Sequence, residues 1–308
     1  MYGIRKLPSF ARFAELSSLS IDPSHGRCYP PTEVPKEFRL IMIAAASASA
    51  RYLGRVWDCR YFWLTLVRMD LRNRYRRSAL GMGWSLLNPL LMTAVLCVVF
   101  GTVFDRPLAW YAPYVLMGLA FWNFLVACVH HGCHALHVGE PYIRHYPAPM
   151  AIYPLRTTLA AAVHLIIGLS AAVVLAIWLH GVAWTPTLPM ILPGLVLTLL
   201  VGWALATLLS FAWAYFPDAG HLCEVGLSFL FYMTPIIYPP DLVKIPLLQS
   251  VTTFNPFAAI ASLLRTPILE GRLPDPLTFL VAGVWALVLC IAAAATLACF
   301  EKRVVFQL

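Results

Sequence analysis

The densest collection of reactive side chains in the chain is Cys128-Val-His-His-Gly-Cys-His-Ala-Leu-His137, two cysteines and four histidines within one short stretch. On a helix His130 and His134 stand one turn apart, as do Cys133 and His137, and imidazole and thiolate at that spacing suit zinc or copper. A polytopic protein using this cluster for metal transport or metal-dependent catalysis is therefore one reading. Against it, histidines near a membrane interface commonly hydrogen-bond backbone or lipid phosphate. No carboxylate pair or second matching cluster completes an enzyme site elsewhere. His130, Cys133, His134 and His137 are kept as the candidate ligand set, with the expectation that no metal is bound. The 8 cysteines form no C-x-x-C pair, and most fall in apolar runs as buried free thiols do.

The elements that must position these residues are membrane spans. The 308 residues are 60% hydrophobic and 12% charged, with a mean hydropathy of +0.75. An ordinary soluble domain carries about 25% charged residues, so soluble, disordered and disulfide-scaffold classes are excluded. Residues 78–104 carry no charge, residues 107–139 none apart from histidines, and residues 157–217 none. The last run would reach roughly 90 Å as one helix against a hydrocarbon core of about 30 Å. It must be two spans, turned at Gly181–Pro189. Lipid leaves helices as the way to satisfy backbone groups here, so the expected class is all-α. Six transmembrane helices are expected near Trp84–Phe104, Tyr111–His131, Thr157–Leu179, Leu188–Phe216, Leu222–Tyr238 and Leu277–Phe300. The fifth carries Glu224 in its first turn and is interrupted by Thr234-Pro235.

Of the 22 Lys and Arg, 14 lie in residues 1–83. The positive-inside rule then places both termini in the cytoplasm of a multi-pass protein, with Arg106, Lys244, Arg265 and Arg272 outside; the family resemblance set out below implies that the membrane is the bacterial plasma (inner) membrane. Residues 1–55 read as a proline-containing, partly disordered cytoplasmic extension and 301–308 as a cytoplasmic tail, flanking a six-helix transmembrane domain at 84–300, which the same resemblance makes a permease domain. Residues 56–83 read as an amphipathic helix lying in the interface. Trp57, Tyr61, Leu64, Leu71 and Tyr75 recur at three- and four-residue steps among Arg60, Arg68, Arg72, Arg74, Arg76 and Arg77. The prolines between Tyr238 and Pro276 favour short external re-entrant helices over a further span.

The letters of this segment are specific. Asp70, Leu71, Arg72, Arg74, Tyr75, Ser78, Leu80, Gly81, Trp84 and Pro89, followed by an apolar run ending Val99-Phe100-Gly101, closely resemble the permease subunit of ABC exporters of O-antigen, teichoic acid and capsular polysaccharide. Leu119-Ala-Phe-Trp-Asn-Phe124, Phe231–Pro239 and Phe254-Asn-Pro-Phe257 are similar to later parts of the same family, in order. The resemblance implies a homodimer that pairs with two copies of a separate ABC ATPase. The passenger would be a lipid-linked polysaccharide in contact with membrane lipids, and no nucleic acid is involved. No G-x-x-x-x-G-K-[ST] phosphate cradle occurs, so ATP and Mg would sit on the partner; this chain would hold no cofactor and no catalytic residue. An exporter of the same class moving a drug or small lipid is the second reading.

Site residues carried by the resemblance fall into four groups. The segment Glu140–Arg156 occupies the place of the coupling helix, giving Glu140, Tyr142, Ile143, Arg144, His145 and Tyr146 as ATPase contacts. Met150 and Ala151 stand there in place of a charged pair, and Asp218 and Glu224 offer a second contact. Arg68, Arg72, Arg74, Tyr75 and Arg76 would receive the lipid headgroup. Trp84, Phe121, Trp122 and Tyr232 would line the channel, although aromatic belts account for many such residues without substrate. Phe254, Asn255 and Pro256 would form an external gate. Apart from Glu224 the spans hold no Asp, Glu, Lys or Arg, which argues against coupling by a proton relay.

Overall fold

A computed structural model describes residues 49–76, 78–146, 148–180, 187–242 and 245–307. The N-terminal extension up to residue 48 and most of the Gly181–Pro189 turn lie outside the described residues. From Tyr52 onward the chain forms one unit of helices, with no strand among the described residues. In order these are α1 (Arg60–Tyr75), α2 (Trp84–Phe100), α3 (Leu108–Cys133), α4 (Ala135–Ile143), α5 (Ile152–His180), α6 (Ile191–Tyr215), α7 (Ala219–Met233), α8 (Pro246–Phe254), α9 (Pro256–Leu269) and α10 (Pro276–Val304).

Among the described residues five segments are long and apolar enough to cross a membrane: Gly81–Phe100, Leu108–Cys133, Ile152–Leu179, Ile191–Tyr215 and Pro276–Val304. The expected fifth span is different. It is delivered as a 15-residue helix, α7, followed by irregular chain from Thr234 to Tyr238. At 1.5 Å per residue α7 reaches only about 22 Å. Irregular backbone is tolerated at membrane depth only where protein covers it, and Thr234 and Ile236 are both fully buried.

The carbonyls of this break are gathered by side chains from two neighbouring helices. Tyr114 of α3 donates to Pro235 and Tyr238, each at 2.9 Å, and Tyr111 to Ile237 at 3.0 Å. Arg265 of α9 donates to Pro235 at 2.6 Å and Ile236 at 2.9 Å. Asn255 supplies its amide nitrogen to Thr234 Oγ1 at 3.1 Å.

Helix α3 is the axis of the molecule. It packs against α2, α5, α6, α7 and α9, and 83% of its apolar window is buried, against 17% for α2 and 22% for α10. In lipid, close packing of small residues replaces the hydrophobic drive between helices. At Gly132 a Cβ would come within 2.7 Å of the Ala206 Cα, so α3 and α6 approach at backbone distance.

The two ends of the bundle are each tied. Tyr52 donates to Glu301 at 3.1 Å, and Glu301 also accepts the Met150 amide at 3.0 Å. At the other end Arg106 pairs with Asp241, joining the α2–α3 turn to the segment after the break.

The interfacial segment is two pieces. The helical residues through Asp58 end at a turn on Cys59, and α1 begins at Arg60. Leu66 and Val67 face the protein and are buried, while Trp57 and Tyr61 are exposed. The stripe marked by Trp57, Tyr61 and Leu64 is therefore the outward face. The face packed on α5 was not visible as a periodicity.

Candidate functional site

The end of α1 delivers two side chains inward. A turn brings the chain from α1 to α2, with Ser78 Oγ accepting the Gly81 amide at 3.2 Å. Gly81 has φ +51°, a left-handed value that glycine adopts without strain. This geometry sets Tyr75 against Ser85 at 2.6 Å, and Ser85 against Nδ1 of His164 on α5 at 2.8 Å. Arg74, one residue earlier, hydrogen-bonds His131 of α3. Asp70, one turn earlier again, pairs with the buried Arg156 at 3.3 Å. Burial lifts the Asp70 carboxyl above the ordinary carboxylate value, and the guanidiniums of Arg156 and Arg74 offset only part of that.

Three cavities lie against α3. The first, about 310 Å³, is lined by Asp70, Arg74, His131, His134 and Arg156. The second, about 230 Å³, shares Arg74 and Ala161 with it and adds Tyr75, Trp84, Ser85 and His164. The third is an open groove of about 530 Å³ between α2, α3 and α7, with Trp122, Phe231 and Tyr232 on its wall. It shares Asn88, Pro89 and Asn123 with the second cavity. A cationic cavity thus adjoins one lined by hydroxyls and an imidazole, and the aromatic groove stands beside the latter against the same stretch of α3.

The residues expected from the sequence separate on this framework. Of the headgroup set, Arg74 and Tyr75 reach the cavities, while Arg68, Arg72 and Arg76 are exposed on α1. Of the channel set, Trp84 lines the second cavity, and Trp122 and Tyr232 line the groove. Trp122 packs on Phe231 with ring centroids 5.3 Å apart. Phe121 is fully enclosed in the core and reaches no cavity wall. The reason is angular: neighbours on a helix point about 100° apart, so Phe121 and Trp122 cannot share a face.

The coupling set sits at the end of a helix that starts earlier than the sequence marks, at Ala135. Glu140 and Arg144 pair at 2.8 Å, and His145 lies in the turn after α4 with Nδ1 2.7 Å from the Pro141 carbonyl. Phe62 of α1 meets the rings of Tyr142 and Tyr146 at 5.9 and 5.5 Å. Ile143 is half-buried at the last turn of α4. Asp218 stands at the start of α7. Glu224 faces the groove, 3.4 Å from His130 and 3.8 Å from His221.

In the external set, Asn255 caps α9 by accepting the Phe257 and Ala258 amides, Pro256 opens that helix, and Phe254 is exposed. The histidine–cysteine cluster does not converge. The helix breaks at His134 (φ −90°, ψ 1°), which cancels the one-turn spacing. His134 and His137 lie against Trp213, His130 turns to Glu224, and Cys133 is buried. Among the described residues no group of three or more ligating side chains is placed to hold a metal.

The residues that sequence reasoning passed over are Ser85, Asn88, Asn123 and His164. Their signal was polarity inside otherwise apolar runs.

Comparison with known proteins adds a family. The model for "ABC-2 type transporter" matches residues 61–269. An O-antigen export system permease protein RfbA of Klebsiella pneumoniae is 24% identical over 225 residues, covering 72% of this chain and 84% of that protein. One of the same name from Myxococcus xanthus is 25% identical over 255 residues, covering 82% and 96%.

Proposed function

We infer, from the premise that this chain belongs to the ABC-2 type transporter family, that it is the membrane-spanning subunit of an ATP-driven exporter of a lipid-linked, O-antigen-like polysaccharide. It is a multi-pass transport subunit of the bacterial inner membrane and not itself an enzyme. The observation that carries the reading is the set of adjoining cavities against α3. Its cationic end suits a phosphorylated headgroup, and its aromatic groove offers flat faces along which a sugar chain can slide.

ATP hydrolysis takes place on a separate ABC ATPase that holds ATP and Mg. Its contact is α4 and the turn that follows, through Glu140, Tyr142, Ile143, Arg144, His145 and Tyr146, with Asp218 at the start of α7 beside it. Two copies of this chain complete the channel, since α2 and α7 leave the groove open along one side. The Tyr52–Glu301 tie at one end and the Arg106–Asp241 tie at the other support six passages of the chain with both termini cytoplasmic. In that arrangement α7 and the irregular segment after it make the fifth passage. Phe254, Asn255 and Pro256 then sit at the exit.

The test is co-expression with the ATPase encoded beside it, followed by purification and an ATPase assay with and without glycolipid. Co-purification and glycolipid-stimulated hydrolysis are expected. Turnover by this chain alone in liposomes, with no nucleotide-hydrolysing partner, would overturn the reading. Stimulation by a small lipid and not by glycolipid would favour the drug or lipid exporter.

A further inference from the structure

Two amides stand where the second cavity opens into the groove. Asn88 lies one turn into α2, and Asn123 lies in the inner reach of α3. Both line both cavities. Asn123 is exposed although its helical neighbours Phe121, Trp122, Phe124 and Leu125 are all buried. Among the described residues neither amide has a hydrogen-bond partner, whereas nearby Ser85, Tyr75 and His164 satisfy one another.

An amide carries two donors and an acceptor with two lone pairs. Both amides are exposed in the cavity walls while their chain neighbours are apolar, so their donors and acceptors are open to a polar occupant of the cavity. The occupant's charge is constrained as well. Among the residues lining the groove, Glu224 is the one Asp, Glu, Lys or Arg, and the guanidiniums of Arg74 and Arg156 are confined to the two cavities before it. A polyanion in the groove would meet the Glu224 carboxylate, with the His130 imidazole 3.4 Å from it, and no Lys or Arg. A neutral polyol meets amides and, beside them, the exposed Tyr232 ring packed on Phe231, whose face suits the apolar side of a sugar ring.

We propose that Asn88 and Asn123 form the hydroxyl-reading pair of a subsite for an uncharged sugar ring at the junction of the second cavity and the groove. The proposal rests on the exporter reading and adds to it the class of glycan and the residues that recognise it. The amides accept from and donate to neighbouring hydroxyls, and the aromatic wall holds the ring's face. The arginines retain the anionic end of the passenger.

The experiment replaces the chromosomal copy in its native host with a deletion, with Asn88→Leu/Asn123→Leu, and with Asn88→Gln/Asn123→Gln, and measures surface glycan at equal protein level. A tenfold or greater loss is expected for the leucine variant and partial retention for the glutamine variant. Leucine removes two unpaired polar groups, so the thermal midpoint of the purified leucine variant should be unchanged or higher. In the second arm, the purified full chain in lipid nanodiscs is probed by saturation-transfer NMR with maltoheptaose and with heptagalacturonate. Transfer to maltoheptaose, reduced in the leucine variant, and less transfer to the acidic probe are expected.

Wild-type surface glycan in the leucine variant overturns the assignment, and so does a lowered thermal midpoint accompanying its loss. Absence of transfer to maltoheptaose overturns it too, as does equal or stronger transfer to heptagalacturonate. A deletion strain that keeps its surface glycan strikes instead at the exporter reading.

Discussion

Arg265 of α9 lies with its guanidinium carbon 3.9 Å from the centroid of the Tyr114 ring of α3, and both side chains donate to the same carbonyl, that of Pro235. Three elements meet at this point: the axial helix, the short helix near the exit and the broken end of α7. The guanidinium is almost fully buried and its charge is met by carbonyl dipoles and the ring face.

Arg265→Ala should therefore be among the most destabilising single changes in the chain. Each charge-assisted hydrogen bond is worth about 1.5–3 kcal/mol, so a loss of about 3 kcal/mol or more is expected from the two carbonyl bonds. Gly118→Ala should act in the same direction, because its Cβ would collide with the Arg265 guanidinium. Thermal unfolding in detergent checks both, and the double variant should lose less than the sum, since both changes remove the same contact.

The Asp70 carboxyl titrates above its ordinary value of 3.8, and burial is the main cause. The folded chain therefore binds this proton more tightly than the unfolded chain. Its contribution to stability is fully present below the unfolded value and is lost as pH rises from there through the raised, folded value. Asp70→Asn should flatten that decline. Thermal midpoints measured from pH 3.5 upward in wild type and variant give the comparison, and identical slopes would contradict the assignment.

Tyr142 meets Phe62 of α1 while Arg144 reaches Glu140 along its own helix. Arg144→Ala should leave the fold intact, because an exposed pair of this kind contributes about 1 kcal/mol or less. If the turn after α4 is the ATPase contact, the double change Tyr142→Ala/Arg144→Ala should cut co-purification of the partner at least fivefold. The thermal midpoint of the chain alone should shift by only a few degrees.

The long uncharged runs were enough to place five spans, because a hydrocarbon core demands length and apolarity whatever the tertiary structure. The break at Thr234 was legible only as a proline. What makes it stable is long-range, since its carbonyls are held by Tyr111, Tyr114 and Arg265 and its Thr234 hydroxyl by Asn255. A lone arginine inside the apolar stretch around 265 was the signal available. Phe121 is enclosed because α3 is buried on nearly every side, so aromatic content there says little about which ring meets a cavity. The side chains of the histidine cluster part for a local reason, the helix break at His134, which sequence spacing cannot register. Asn88 and Asn123 sit within otherwise apolar runs, yet only their shared cavity distinguishes them from polar residues at a helix surface.

The near-contact of Gly132 with Ala206 has a mechanical meaning. At Gly132 no side chain stands between α3 and α6, and further along the Phe124 ring and Cys128 fill the space against Gly202, so the two helices behave as a keel. Whatever widens to let a passenger by has to be the loosely seated planks, α2 and α7, on the other side of the groove.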